Sequence, residues 1–333
     1  MELLSLAAIT IGLTLVFEFV NGFHDSSNSI ATIVATKVLS PVKAVAWAAI
    51  FNFAGIYLSQ AVAATIGKGI IDQSLIVKEG ALLLFSAVVG AIAWDLITWW
   101  FKIPTSSSHA LVGGLIGAGG AVAGVNAIVW SGTLKTILFI VVSPLVGMGA
   151  AFLIAAGVMR LGRNHSRTSL NGWFRRLQLA SSAFLSYAHG SNDSQKGMGI
   201  ITMVLLIGST DTTFKVQDWV MLACGIAISV GTFFGGWRIV QTMATRVTKL
   251  EPYQGFSAES GAAIMLSLTA SLGIPVSTTH TISGGIMGVG ATRRLSAVRW
   301  GVGRRIVIAW ILTIPAAATI SGALFLVLHA LGV

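Results

Sequence analysis

The chain has 333 residues, 55% of them hydrophobic and only 10% charged, with a net charge of +10 and a mean hydropathy of +0.85. A soluble globular domain carries about 25% charged residues, so the composition excludes a soluble domain and indicates an integral membrane protein. Its one cysteine, Cys224, excludes a disulfide within the chain.

About twenty consecutive apolar residues cross a bilayer as helix. On that measure the first half holds expected spans at 3–36 (interrupted near Gly22), 44–66, 80–101, 104–120 and 127–158. The second half holds 177–208 (interrupted near Gly190), 218–237, 257–272, 275–291 and 305–330. The opening MELLSLAAIT has no basic n-region and no clear cleavage site, so it reads as the start of the first span. The stretches after Pro104 and Pro275 are short enough to be halves of re-entrant hairpins, and 127–158 has a candidate break at Pro144. The expected fold is an all-α polytopic membrane protein of ten to twelve helical segments.

Basic residues sit in the connections. Arg160, Arg163, Arg167, Arg175 and Arg176 crowd the stretch 160–176, Arg238, Arg246 and Lys249 the stretch 238–249, and five arginines (293, 294, 299, 304 and 305) the stretch 293–305. Counting spans puts these on one side with Lys37 and Lys43, and the positive-inside rule makes that side cytoplasmic. The charge therefore marks loop topology, and no nucleic acid is expected as a partner. The remaining loops, 67–79, 121–126 and 209–217, are neutral, mixed or acidic, the last through Asp211.

The chain is duplicated. PTSSSHALVGGLIGAG (104–119) aligns without a gap on PVSTTHTISGGIMGVG (275–290), 171 positions on. NGFHDSSNSIATIV (21–34) aligns on HGSNDSQKGMGIIT (189–202), 168 positions on. Two motifs repeated in the same order at nearly one offset mean an internal repeat. Equivalent loops differ in charge: two lysines follow the first Asp motif, and a mixed or acidic loop follows the second. With five spans per half, this predicts an inverted repeat: 1–158, an arginine-rich cytoplasmic connector 159–176, and 177–333. Inverted repeats with interrupted helices are the pattern of secondary transporters, whose site lies at mid-membrane.

Asp25 and Asn28 fall inside the hydrocarbon region, as do Asn192, Asp193 and Lys196. A charge there costs about 2.5–3.5 kcal/mol on insertion scales, so the acids need partners. A bound cation supplies one, and N-capping of half-helices is the alternative. In the hydroxyl motifs, Ser106-Ser107-Ser108 and Ser277-Thr278-Thr279 follow a proline at a helix start. Hydroxyls beside free backbone N–H groups at the positive end of a helix dipole form an anion site, fitted to tetrahedral oxyanions. Helix capping and interhelical bonding are the plainer role. His109 and His280 read as braces behind these runs. Glu18, Asp95 and Glu259 are further acids without repeat partners, with no role beyond ion coupling, and Trp94, Trp99 and Trp100 read as interface anchors.

With both motif pairs in view, the chain resembles the PiT (inorganic phosphate transporter) family. That family's signature looks like Gly-Ala-Asn-Asp-x-x-Asn in one half and Gly-Ala-Asn-Asp-x-x-Lys in the other; here they read GFHDSSN (22–28) and GSNDSQK (190–196). His24 stands where the family has Asn, whereas Asn192 keeps it. The resemblance implies import of inorganic phosphate driven by a Na⁺ or H⁺ gradient, with phosphate carried alone or as a divalent-metal complex. It also implies that Asp25, Asn28, Asn192 and Asp193 serve the cation and that Ser106, Ser107, Ser108, Ser277, Thr278 and Thr279 hold phosphate. Phosphate would reach Asp25 and Asp193 through the bridging cation, and Lys196 would offset part of the charge. The short connector looks prokaryotic, which implies the inner membrane. Besides phosphate, the expected partners are the bilayer and, as an open reading, a second copy of the chain. A sulfate permease of the same fold, an ion channel and an intramembrane hydrolase are the alternatives.

Overall fold

The computed structural model describes residues 3–207, 209 and 213–333, with the backbone alone at 3, 4, 77–79, 167, 245 and 246. Asp211 thus lies outside the described residues, as do the side chains of Arg167 and Arg246. Among the described residues there are twelve α-helices and no strand beyond an isolated bridge, Ile71 to Ile128. The first six are α1 (Leu3–Ala35), α2 (Pro41–Gly55), α3 (Ala61–Lys68), α4 (Gln73–Trp100), α5 (Ser107–Ala123) and α6 (Trp130–Leu161). The second six repeat the order: α7 (Arg167–Leu206), α8 (Asp218–Phe234), α9 (Trp237–Arg246), α10 (Pro252–Ser271), α11 (Thr278–Ala291) and α12 (Trp300–Ala330). Five of the helices are long and apolar enough to cross a membrane, and α8 with α9, bent by 67°, makes a sixth such unit.

The repeat holds down to single hydrogen bonds. The C-terminal turn of α4 is closed by Phe101, Lys102 and Ile103 N–H groups on the carbonyls of Ile97, Trp99 and Thr98. The same turn of α10 is closed by Leu272, Gly273 and Ile274 on Leu268, Ala270 and Thr269, each 171 positions later. This turn needs one left-handed residue, filled by Lys102 (φ 61°) in one copy and Gly273 (φ 65°) in the other. Pro144 in α6 and Pro315 in α12 are also 171 apart.

The two copies interlock and run in opposite senses. α5 packs on α12 and α11 on α6, while α1 packs on α8 and α7 on α2, so each half completes the other. Down the α1–α7 contact, Glu18 meets Gly197, Thr36 meets Gln178 (2.9 Å) and Arg175 reaches the Lys37 carbonyl (2.8 Å). Rising numbers on α1 face falling numbers on α7, so equivalent helices are antiparallel. The fold is the expected inverted repeat.

Basic residues of the connections expected in the cytoplasm gather at one end of this bundle. Arg175 caps the end of α1, and Arg238 lies over Trp99 and Trp100, 4.7 and 4.6 Å from the ring centroids. Thr242 donates to the Lys102 carbonyl, and Arg293 pairs with Glu251.

Three expectations are corrected. α1 and α7 run unbroken through Gly22 and Gly190. A Cβ on Gly22 would lie 2.0 Å from the Ile228 carbonyl oxygen, and one on Gly190 2.0 Å from that of Asn52. These glycines bring two backbones into contact; they do not loosen one. The interruptions fall one element later, between α2 and α3, which divides the expected 44–66 span, and at Gly235–Gly236 between α8 and α9. Nor does α6 break at Pro144; it continues to Leu161. In addition, most of the arginine-rich stretch after Ser166 is the first part of α7, capped by the Ser166 hydroxyl on the Ser169 N–H at 3.2 Å.

Candidate functional site

α4 and α10 each turn back at their C-terminal ends, and α5 and α11 start from the short segments that follow. Ser106 and Ser277 are the N-caps: each hydroxyl accepts from the backbone N–H three residues on, His109 at 3.3 Å and His280 at 3.1 Å. The two helix starts meet in the middle of the molecule, where the Ser108 hydroxyl donates to the Val276 carbonyl (3.1 Å). The first N–H groups of each helix have no partner within their own helix. Two positive helix ends therefore converge on one region.

The middles of α1 and α7 face those ends. The Ser107 hydroxyl reaches Asp25 at 3.2 Å and Asn21 at 2.5 Å. Thr279 reaches Asp25, and Thr278 reaches Asp193, both at 3.4 Å. The Asn28 amide donates to Thr278 (3.1 Å) and Thr279 (2.9 Å). The Lys196 ammonium lies 3.2 Å from Asp193, 2.9 Å from Ser107 and 3.4 Å from Asn21. All these side chains are buried. A carboxylate of each half is thus bonded to hydroxyls of the second half's hairpin, and Lys196 of the second half reaches Ser107 of the first.

Seven of the expected site residues therefore come together: Asp25, Asn28, Ser107, Asp193, Lys196, Thr278 and Thr279. Ser106, Ser108 and Ser277 stand at the same helix starts, but their hydroxyls are engaged by backbone. Asn192 is buried, with neither amide atom hydrogen-bonded among the described residues. His109 and His280 lie behind the runs, their rings 4.7 Å apart, and His280 stacks on Trp310 at 3.8 Å.

Sequence reasoning missed Asn21 and His189. His189 lies 3.2 Å from Asp193 and is held from its other ring nitrogen by Asn52 at 3.2 Å. Asp25, His189 and Asp193 each offer a ligand atom within 4.8 Å of the others, a group able to hold a metal ion. The signal was available, because Asn21 and His189 are the aligned residues one turn before each aspartate. His24 sits 2.6 Å from Asp25, with its second nitrogen 3.2 Å from Thr98 and 3.4 Å from Thr105. Glu18 accepts from the Gly197 N–H at 2.6 Å, directly after Lys196. Glu259 forms a separate buried cluster, bonded to Thr32 (2.6 Å), Gln178 (2.9 Å) and Ser181 (2.5 Å). The arrangement combines anion-binding helix ends, hydroxyl donors and an ammonium with paired carboxylates, so it suits an anion and a cation held side by side.

Comparison with known proteins fits this chemistry. The phosphate transporter family matches residues 21–171 and again 160–321, one match for each half. A probable low-affinity inorganic phosphate transporter of Rhizobium meliloti (strain 1021) is 52% identical over 93% of both chains. One of the same description from Bacillus subtilis (strain 168) is 40% identical over 98% of both. Among solved structures, a sodium-dependent phosphate transporter superposes with a TM-score of 0.89 at 27% identity, covering 98% of this chain and 99% of its own.

Proposed function

The chain belongs to the phosphate transporter family, and we propose on that premise that it imports inorganic phosphate with sodium across a prokaryotic inner membrane. It is a multi-pass membrane transporter, not an enzyme. The observation that carries the mechanism is the meeting of Ser107, Thr278 and Thr279, at two opposed helix starts, with Asp25, Asp193 and Lys196.

In the structure those hydroxyls donate to the two carboxylates. Phosphate, rich in acceptor oxygens, would draw the Ser107, Thr278 and Thr279 hydroxyls and the first N–H groups of α5 and α11 to itself. Lys196 would add the compensating charge. The carboxylates would then turn to the cation, with the side-chain oxygens of Asn28 and Asn192 completing a hard-oxygen set that suits sodium. Anion and cation require each other: phosphate beside two bare carboxylates is repelled, and the cation between them turns repulsion into attraction. That mutual requirement is symport. His24 bonds Asp25 where its repeat equivalent, Asn192, makes no side-chain hydrogen bond among the described residues, and His189 lies beside Asp193 where its equivalent is Asn21, so the two acids have unlike neighbours. Rocking of the interlocked halves about the shared site would open it to each side in turn. The positive-inside rule places the basic end of the bundle in the cytoplasm.

Uptake of radiolabelled phosphate into proteoliposomes, with sodium and pH gradients imposed separately, tests this. Accumulation driven by a sodium gradient at constant pH is expected. Accumulation that follows only the pH gradient would replace sodium by the proton.

A further inference from the structure

Two neighbouring features lie outside the transport site. The first is an apolar groove of about 690 Å³ between α6, α11 and α12, walled by residues such as Val141, Pro144, Met287, Val307 and Ile311. The second is a polar hollow of about 320 Å³ lined by Lys249, Arg293, Arg294 and Arg299. Arg299 in the hollow is followed by Trp300 in the groove, so the two adjoin at the start of α12. Trp300 is 50% exposed, and Arg304 stands one turn further along in the groove.

We propose that these features together bind one anionic phospholipid, its headgroup in the basic hollow and an acyl chain in the groove. Along α12 the groove runs from Trp300 to Ile311, about 16 Å at 1.5 Å per residue, which matches one leaflet of a hydrocarbon core of about 30 Å. Its headgroup end coincides with an exposed tryptophan, the residue that sits at the membrane–water boundary. Among the described residues no acid lines either feature, and Glu251 pairs with Arg293 at the rim. Lys249, Arg294, Arg299 and Arg304 make no ion pair among the described residues, which leaves four cations for a lipid phosphate. Such basic pockets at helix ends on the cytoplasmic face select anionic headgroups. The other half lacks these arginines: 171 positions earlier, residues 293, 294, 299 and 304 correspond to Val122, Ala123, Ile128 and Thr133, and only Lys249 has a basic equivalent, Lys78. The groove also touches the transport machinery, because its wall includes Trp310, which stacks on His280 next to Thr279.

Native mass spectrometry of the detergent-solubilised chain, titrated with phosphatidylglycerol or with phosphatidylcholine of the same acyl chains, tests the proposal. The wild type should retain one phosphatidylglycerol in preference to phosphatidylcholine. The double variant Arg294→Gln/Arg299→Gln should hold it roughly thirty-fold more weakly, at about fivefold per arginine. Val307→Trp, which fills the groove and keeps the charges, should release the lipid too. Equal retention of the two lipids by the wild type would overturn the site. So would displacement of phosphatidylglycerol by inorganic phosphate in the Val307→Trp variant, which would mark the hollow as a free-anion site. A lipid-free dimer that Val307→Trp dissociates would assign the groove to a second copy instead.

Discussion

Replacing Asp193 by asparagine removes one of two carboxylates without changing side-chain size. Ligand atoms of Asp25, His189 and Asp193 lie within 4.8 Å of one another. Two unit charges at that distance interact by about 3.5 kcal/mol at an effective dielectric constant of about 20. A cation held between the acids gains a term of that order from each, so Asp193→Asn should weaken it by roughly two to three powers of ten. Lys196, 3.2 Å from Asp193, would lose its partner and oppose the cation further. Leaving a buried charge unpaired costs about 3–5 kcal/mol of stability, so the assay must count only folded protein. Sodium-gradient-driven phosphate uptake in vesicles, normalised to monodisperse protein, should be lost at ordinary sodium. The sodium concentration for half-maximal phosphate binding should rise by at least a hundredfold. Normal uptake with an unshifted sodium dependence would show that Asp193 does not hold the cation.

Further outcomes follow from the geometry. Thr279→Val removes a hydroxyl facing Asp25 and should raise the KM for phosphate by roughly tenfold, about one charge-assisted hydrogen bond; Ser277→Ala removes a cap and should lower stability by about 1 kcal/mol with little change in KM. Gly190→Ala would put a methyl carbon 2.0 Å from the Asn52 carbonyl and should cost 3 kcal/mol or more, roughly the top of the overpacking range, read as a lowered Tm in detergent. Gly273→Ala adds a side chain at a φ of 65° with Ala61 backbone oxygen 3.0 Å away, so it should destabilise by about 1–2 kcal/mol, whereas Lys102→Ala, already at a non-glycine position, should not.

The duplication was legible because both copies must make the same cap and turn. A serine N-cap and a proline before it follow from backbone geometry, the histidines after it from the contact of their two rings, and all three survive as identical letters. The paired aspartates were legible because a buried charge in a membrane needs a reason. The location of the helix breaks was not. A glycine that loosens a helix and one that lets two helices touch look alike in one chain, and only the opposing Ile228 and Asn52 backbones distinguish Gly22 and Gly190 as the second kind. Pairing between halves was hidden for the same reason: nothing in the local pattern says that α5 packs on α12 and α11 on α6. Nor could spacing show that Ser106 and Ser277 cap while Ser107, Thr278 and Thr279 face the acids, because adjacent residues at a helix start diverge by about 100°. The match of Pro144 with Pro315 was visible in the letters but lay outside both motifs.

Two antiparallel copies build a single site from parts of each. Equilibrium binding of radiolabelled phosphate to the purified chain, with and without sodium, tests it directly. One phosphate per chain is predicted, bound only with the cation, and weakened alike by Ser107→Ala in the first half and Thr279→Val in the second. Two phosphates per chain, or binding that survives one of these changes untouched, would contradict it.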